Sequence, residues 1–270
     1  MIRVAAIGDL HVKSSIPEAL GQALASLASC ADVLVIAGDM TDNGRLLEFE
    51  IVAEAMAAVP LPVIAVLGNH DRRCLRRAAL RRVLERGGVI LLDGQAIMLD
   101  ISVAAGDGAG TTPIVRVGFA GVGGYGGGFW PEEGPLLPRN RAAQALAVRA
   151  RREAVRLDEA LSEIDHGVDC RVAVLHYAPT TTTLGSEPPA KHWMLGNIEL
   201  AHVIDRHPVD LVIHGHAHLG NPEGSTPGGT PVRNVASHVV GLPIVHVLPL
   251  PTGVDASRAP SVAGCPGISA

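Results

Sequence analysis

The sequence predicts an α/β fold built on two β-sheets, and three observations support this prediction. Apolar residues make up 47% of the 270 residues while aromatic residues reach only 3%, so Val, Leu, Ile and Ala must build the core, as in parallel or mixed sheets. Short apolar runs alternate with helical patterns in the first third of the chain, which is typical of βαβ units. The middle of the chain then changes to strands joined by turns, which indicates a second, partly antiparallel sheet.

Three apolar runs in the first third of the chain each end in glycine. They cover residues 3–8, 33–38 and 63–68, and continuous apolar character predicts strands buried on both faces. A helix is predicted after each strand, over residues 17–27, 46–58 and 72–85. Pro17 suits the first turn of the first of these helices, because proline lacks only an N–H that has no helical partner there.

The elements after residue 88 are predicted from changes in the spacing of apolar residues. Residues 89–92, 97–103 and 114–120 are predicted as strands of the second sheet, and residues 139–165 as one long amphipathic helix. The glycine-rich stretch 121–129 between them is either a mobile lid or a surface linker. Strand-like runs return at residues 171–175, 211–214, 231–236 and 244–248.

One domain is predicted over residues 1–250, followed by a tail. Residues 251–270 are rich in Pro, Gly, Ser and Ala, so this C-terminal tail is predicted to be disordered. A single domain is the expectation because 270 residues suffice for one large buried core.

Composition and charge exclude several classes of function. A net charge of −5 and a pI near 6.2 argue against a nonspecific grip on nucleic acid, which needs a basic face. No uncharged apolar run approaches the ~20 residues of a membrane helix, and residues 1–9 do not resemble a signal peptide. The four cysteines lack CxxC spacing and are interpreted as reduced thiols. We therefore expect a cytoplasmic protein with no membrane and no nucleic-acid polymer among its partners.

Polar side chains capable of binding metals follow five of the predicted strands. They are Asp9 and His11, Asp39, the run Asn69, His70 and Asp71, then His176, and finally His216 and His218. Ligands of open α/β sheets bind in the crevice beyond the carboxyl ends of the strands. Polar capping of helices or strands is the alternative interpretation, but capping does not explain why four of these candidates, His11, His176, His216 and His218, are histidines at strand ends.

The spacing within these groups suits a pair of metal ions. Residues two apart in an extended segment point the same way, so Asp9 and His11 can face one site together, as can His216 and His218. Carboxylate and imidazole ligands suit Zn, Mn and Fe, and Asp39 could bridge two ions at the roughly 3.5–4 Å separation of two-metal hydrolases. Two divalent ions bring more charge than Asp9 and Asp39 remove, so the site would attract a phosphoryl group.

The motifs occur in an order that resembles a known family. The blocks DxH, GD, GNHD, H and GHxH stand here as Asp9-Leu-His11, Gly38-Asp39, Gly68-Asn-His-Asp71, His176 and Gly215-His-Ala-His218. The sequence in this way resembles the calcineurin-like metallophosphoesterase superfamily over residues 9 to 218. The resemblance implies a four-layer αββα sandwich, in which helices flank two mixed β-sheets.

The resemblance also implies roles for the site residues. It implies that one divalent ion is held by Asp9, His11, Asp39 and His218, and the other by Asp39, Asn69, His176 and His216. It implies that His70 protonates the leaving oxygen or stabilises the charge that develops on it, with Asp71 orienting the His70 ring. Asp71 could instead cap the helix that follows. Arg72 and Arg73 could hold a substrate phosphate or lie on a solvated helix face.

The predicted function is hydrolysis of small phosphate esters, most of all phosphodiesters, by water activated at a dinuclear centre of Mn, Fe or Zn. A phosphomonoesterase and a nucleotide pyrophosphatase remain alternatives, because the motifs build the metal centre and not the pocket for the leaving group. A non-catalytic interaction scaffold is the alternative from another class of protein. Such a scaffold would be expected to lack His70 or several ligands, and all are present here.

Overall fold

The computed structural model describes residues 1–103, 114–129 and 141–249, and these residues form two β-sheets. The strands of the first sheet are β1 Ile2–Ile7, β2 Val33–Ile36, β3 Val63–Ala65, β4 Val89–Leu91 and β11 Ile244–Leu248. The strands of the second sheet are β5 Gln95–Ser102, β6 Ile114–Gly121, β7 Cys170–Val174, β8 Leu211–His214, β9 Glu223–Ser225 and β10 Pro231–Asn234.

Both sheets are mixed, with a parallel centre and antiparallel edges. The first sheet has the order β11-β1-β2-β3-β4, in which only β11 runs antiparallel to its neighbour. The second has the order β5-β6-β7-β8-β10-β9, with β5 and β9 as antiparallel edges. The parallel strands therefore deliver their carboxyl ends to one edge of each sheet.

Helices cover the outer face of each sheet. The helices of the described residues are α1 Glu18–Ser26, α2 Leu46–Ala57, α3 Arg77–Arg86, α4 Arg141–Ser162, α5 His192–Leu195, α6 Ile198–Ile204 and α7 Ser237–Val240. Leu24, Phe49 and Leu80 of α1 to α3 pack on the first sheet, while Leu157 of α4 and Leu200 of α6 pack on the second.

A third apolar layer lies between the two sheets. Val4, Val35, Phe119, Val172 and Ile213 are fully buried there, while the alternate strand residues of the first sheet face α1 to α3. This alternation follows from the two-residue period of a strand. The four-layer αββα sandwich predicted from the sequence is confirmed.

Two predicted elements differ in the structure. The strand predicted at residues 89–92 was expected in the second sheet, but β4 pairs in parallel with β3, with Val63 opposite Val89. A helix between two strands can return the chain to a parallel position in the same sheet, and α3 connects β3 to β4 in this way. The helix predicted from Arg72 begins only at Arg77, because the chain first makes a 3-10 turn over Asp71–Arg73 and is then extended at Cys74.

The glycine-rich stretch 121–129 is neither a lid nor a surface linker, since most of it is buried. The Gly123 carbonyl accepts hydrogen bonds from the main-chain N–H groups of His176 and Tyr177, both at 3.0 Å. A Cβ atom at Gly126 would lie 2.7 Å from the Trp193 carbonyl oxygen. Its glycines therefore let one backbone pack directly against another, a long-range contact that composition does not reveal.

The remaining expectations about the chain have mixed outcomes. Cys74 and Cys170 are buried free thiols, but the interpretation of all four cysteines as reduced is wrong at Cys30, which is disulfide-bonded. Residue spacing does not show which sulfur atoms meet in space. Within the described residues, no helix is long and apolar enough to cross a membrane. The predicted disordered tail, residues 251–270, lies outside the described residues.

Candidate metal centre

The candidate site lies where the carboxyl ends of parallel strands from both sheets meet. Loops after β1, β2 and β3 contribute from the first sheet, and loops after β7 and β8 from the second. Side-chain atoms of two groups approach within 4.8 Å of one another: Asp9, Asp39, His176 and His216 form one, and Asp9, His11 and His218 the other. Asn69 joins them through its Oδ1 atom, 2.9 Å from His176 Nε2. The structure thus brings together all seven metal-ligand candidates of the sequence.

The Asp39 carboxylate faces members of both groups. Its Oδ2 atom lies 3.9 Å from His11 Nε2 and 3.5 Å from His176 Nε2. Its Oδ1 atom accepts a hydrogen bond of 2.8 Å from the main-chain N–H of His70. A carboxylate with one imidazole on either side is in the position that a shared ligand would require.

Main-chain carbonyls fix the orientation of two histidine rings. His176 Nδ1 lies 2.8 Å from the Ala37 oxygen and His216 Nε2 lies 3.2 Å from the Met194 oxygen. A carbonyl only accepts, so each of these nitrogens carries a proton and the other nitrogen of a neutral ring keeps its lone pair. His176 then points a lone pair at Asn69 Oδ1, and a cation between two such acceptors would relieve their repulsion.

His11 gives the clearest test of whether these residues fit metal ions. Both ring nitrogens are buried without a hydrogen-bond partner, although buried polar atoms in proteins are almost always paired. The nearest carboxylate oxygens lie 3.7–3.9 Å away, on Asp9, Asp39 and Asp42. Imidazole, carboxylate and amide donors are a set that Zn, Mn and Fe bind, and the residues present therefore fit divalent ions.

The electrostatics at Asp9 and His216 favour the protonation states that metal ligands need. Burial raises the pKa of Asp9, but the hydrogen bonds from the His218 ring and from the main-chain N–H of His216 outweigh burial and bring the pKa down to about 2. Burial lowers the pKa of His216 to about 3. An ionised carboxylate beside a neutral imidazole is the form that coordinates a metal.

The backbone is strained at four of these residues. Asp9, His11, Asp39 and His216 have φ angles of 55°, 45°, 49° and 69°, and within the described ranges they are the only non-glycine residues with positive φ. This left-handed conformation costs roughly 1–2 kcal/mol per residue, and such strain clusters at functional sites. The neighbouring Gly68 has no room for a side chain, since a Cβ there would lie 2.1 Å from Asp39 Oδ1.

His70 lies beside this cluster and is oriented by Asp42. Its Nδ1 atom is 2.6 Å from the main-chain oxygen of Asp42, and its Nε2 atom is 3.2 Å from Arg73 Nη2. The His70 ring meets the His11 ring edge-on, with 4.6 Å between ring centroids. Sequence reasoning missed Asp42, although its place three residues after Asp39 in the same strand-end loop was a usable signal.

Asp71 does not orient the His70 ring, contrary to the expectation from the resemblance. Its Oδ2 atom accepts from the main-chain N–H groups of Met40 and Gly68, both at 3.1 Å. Its Oδ1 atom accepts from the N–H of Thr41 at 2.9 Å and from the Thr41 hydroxyl at 2.7 Å. The 3-10 turn directs this buried side chain into the protein, where it ties the Asp39 loop to the Asn69 loop. Burial, reinforced by the charge of Asp39, raises the pKa of Asp71 to about 6.

We expect the main effect of Asp71→Ala to be a lower stability of the folded protein, with a smaller effect on kcat. The substitution leaves buried N–H donors unpaired, at about 1–3 kcal/mol for each donor, so thermal unfolding should shift strongly downward. Asp71→Asn keeps one acceptor oxygen, so its unfolding temperature should lie between those of Asp71→Ala and the unaltered protein. A large loss of kcat in Asp71→Ala with unchanged Tm and metal content would restore the catalytic role that the sequence predicted for Asp71.

Comparison with known proteins decides the family. A family model described as calcineurin-like phosphoesterase matches residues 2–220. The chain belongs to the calcineurin-like phosphoesterase family. This family is metal-dependent, so the match agrees with the donor set described above and makes the chain a metal-dependent phosphoesterase. No sequence match to a curated protein was found.

Solved structures share the fold of this phosphoesterase at low sequence identity. Phosphopantetheinyl hydrolase (PptH) from Mycobacterium tuberculosis has a TM-score of 0.60 and 14% identity, over 96% of this chain and 98% of that one. GAP50, the anchor in the inner membrane complex of Plasmodium, has a TM-score of 0.53 and 14% identity, over 88% and 72%. A putative 5'-nucleotidase from Staphylococcus aureus has a TM-score of 0.51 and 14% identity, over 88% and 49%.

Aromatic rings contact two of the metal-ligand candidates in this phosphoesterase. His238 stacks on His218 with 3.9 Å between ring centroids and 8° between ring planes. Tyr177 lies 4.3 Å from the His216 ring and stacks on Tyr125 at 5.8 Å. Sequence reasoning left His238 unassigned and passed over Tyr177, whose only signal was its position directly after His176.

Proposed function

We propose that this phosphoesterase hydrolyses small phosphodiesters at a pair of divalent ions. One ion would be held by Asp9, His11, Asp39 and His218, and the second by Asp39, Asn69, His176 and His216. The observation that carries the proposal is the buried, unpartnered pair of His11 nitrogens in the middle of these donors. When bound, two ions such as Mn, Fe or Zn polarise the phosphoryl group and lower the pKa of the attacking water.

His70 is proposed to act on the leaving oxygen. The Asp42 carbonyl holds the proton on Nδ1, so Nε2 is the nitrogen that can carry a proton toward substrate. Arg73 Nη2 now lies 3.2 Å from Nε2, and a substrate phosphate would offer this guanidinium a better acceptor than a neutral ring. Substrate binding would then move Arg73 to the phosphate, and His70 Nε2 would be free to take a proton from solvent and transfer it to the leaving oxygen.

Arg73→Ala tests this proposed contact with the substrate. Because a hydrogen bond to a charged group contributes about 1.5–3 kcal/mol, we expect KM to rise at least about tenfold with a smaller change in kcat. Arg82→Ala, which removes an exposed arginine of α3, should leave both constants unchanged. An unchanged KM in Arg73→Ala, measured with a dianionic monoester as well as a diester, would assign Arg73 to the solvated surface.

Two stretches of the chain at the site contain no basic residue, and this favours small substrates. Residues 121–129 and 180–189 contain no Lys or Arg, and Tyr125 and Tyr177 place the first of these stretches beside His216. A long phosphate backbone needs repeated cationic contacts, and its binding weakens steeply with salt. We expect small phosphoesters to be cleaved much faster than DNA or RNA, with little dependence of kcat/KM on salt.

A hydrolysis screen tests the proposed substrate class. Protein loaded with Mn, Fe, Zn or Mg would be offered cyclic nucleotides, dinucleotides, nucleoside diphosphate conjugates, monoesters, a phosphopantetheinyl ester, and DNA and RNA oligomers. The highest kcat/KM should fall on a small diester. A preference for monoesters or for diphosphate bonds would select one of the two alternatives within the family. Faster, steeply salt-dependent cleavage of polynucleotides would contradict the small-substrate proposal.

The interaction-scaffold alternative makes an opposite prediction. GAP50, one of the solved structures with a similar fold, is named as an anchor. Similarity of fold alone therefore does not decide whether a protein is an enzyme or an interaction scaffold. An enzyme should carry about two metals per chain by elemental analysis and cleave a chromogenic phosphodiester. A chain that binds metal in that ratio but turns over none of the screened esters would support the scaffold.

A further inference from the structure

A cavity of about 210 Å³ lies next to the loop that carries Asn69 and His70, between α3, α4 and the end of β4. Its floor is apolar and consists of Leu67, Leu80 and Leu91. Four guanidinium groups and one carboxylate complete the lining: Arg72, Arg77, Arg81, Arg156 and Asp93. The cavity is smaller than the roughly 300–1,000 Å³ of pockets for drug-sized ligands, so its size suits a small ion or a single charged group.

Two of these arginines are paired with carboxylates. Arg72 Nη2 lies 3.0 Å from Glu153 and 3.5 Å from Asp93. Arg156 lies 2.9 Å from Glu153 and 3.1 Å from Asp93. Two cations and two anions thus form a closed network, which contributes no net charge to the cavity.

Arg77 and Arg81 supply the excess positive charge. Arg77 Nη2 donates to the Arg72 carbonyl at 2.8 Å, and Arg81 Nη1 donates to the Leu91 carbonyl at 3.2 Å. A carbonyl orients a guanidinium without neutralising it. Glu85 is the carboxylate near Arg81, but it is exposed and 3.8 Å away, and such surface pairs contribute little. Each guanidinium has five N–H donors, so most remain available to a ligand.

We propose that this cavity is an accessory binding site for a small tetrahedral oxyanion of the phosphate class, held by Arg77 and Arg81. Two planar guanidinium groups match the oxygens of a doubly charged oxyanion. The leucine floor lowers the local dielectric constant and strengthens the attraction. None of the metal-ligand candidates lines the cavity, so the site is separate from the metal centre and does not depend on the proposed function.

The cavity is also connected to the loops of the metal centre. Glu153, which pairs with Arg72, accepts a hydrogen bond of 3.2 Å from the main-chain N–H of Gly124. Arg72 directly follows Asp71, whose carboxylate ties together the Asp39 and Asn69 loops. An oxyanion bound to Arg77 and Arg81 would therefore stabilise the loop 69–72, which contains His70, because Arg77 hydrogen-bonds to the Arg72 carbonyl.

Sulfate titration of the metal-loaded full chain tests the site. Calorimetry would be run at constant ionic strength, maintained with NaCl, to remove nonspecific screening. We expect saturable binding that Arg77→Ala/Arg81→Ala weakens at least tenfold. The control Arg82→Ala/Arg86→Ala makes the same charge change on the same helix outside the cavity and should alter the Kd by less than about twofold, under 0.5 kcal/mol. If sulfate bound at the metal centre instead, the two double variants would have the same Kd for sulfate.

A second measurement keeps the proposal testable if the double variant does not fold. In unaltered protein labelled with ¹⁵N-arginine, sulfate should shift the side-chain Nε–H signals of Arg77 and Arg81 more than those of Arg82 and Arg86. Equal affinity of the two double variants for sulfate would overturn the proposal. So would the lack of saturable binding or of a selective shift at Arg77 and Arg81.

Discussion

Asp39→Ala is expected to abolish hydrolysis and to release most of the bound metal. The Asp39 carboxylate lies between His11 and His176, at 3.9 Å and 3.5 Å from their Nε2 atoms, so its removal takes a ligand from both proposed metal positions at once. It also removes one of the two negative charges that hold four positive ones, and metal affinity depends on ligand charge. Activity should fall below detection, with metal content well under one ion per chain.

Metal content and unfolding temperature would be measured together in this variant. Metal that binds only the folded state stabilises it, so added Mn or Zn should raise the Tm of unaltered protein but change that of Asp39→Ala much less. Asp100→Ala, which removes an exposed aspartate paired with Arg116, is the matched control and should retain metal and turnover. Near-native metal content and turnover in Asp39→Ala would refute the two-metal assignment.

His70→Ala is expected to separate chemistry from metal binding. His70 hydrogen-bonds to Asp42 and Arg73 through its two ring nitrogens, and its side chain makes only a ring contact with one proposed metal ligand, His11. Metal content should therefore hold while kcat falls by roughly 10²–10⁴-fold, the usual contribution of a general acid or base. The loss should be smaller for nitrophenyl esters, whose leaving group needs little protonation.

A series of esters with leaving groups of increasing pKa would measure this dependence. His202→Ala, which changes an exposed histidine near Glu199, should leave kcat unchanged across the whole series. If His70→Ala lost the same factor with every leaving group, His70 would stabilise charge without transferring a proton. Loss of metal from His70→Ala would instead place His70 among the ligands, beside His11 and Asp42.

Much of the fold was predictable because its signals are local. Apolar runs such as residues 33–38 mark buried strands, and the period of the helices that follow is visible in the same window. The boundaries of α2 agree with the prediction to within one residue. β4 was assigned to the wrong sheet, since a three-residue strand carries no information about which neighbour it pairs with.

The sequence by itself determined the chemistry of the site: which donors are present, and that they follow parallel strands, whose carboxyl ends meet at one edge. Only the tertiary structure decided what each atom faces. In the structure the Asp42 carbonyl orients the His70 ring, and the Asp71 side chain points inward and joins two loops. The glycine-rich stretch packs against Trp193, and arginines of α3 and α4 line one cavity. These contacts join residues far apart in the chain. The hydrophobic period of a sequence reports only local structure, so it cannot predict which distant residues will be in contact.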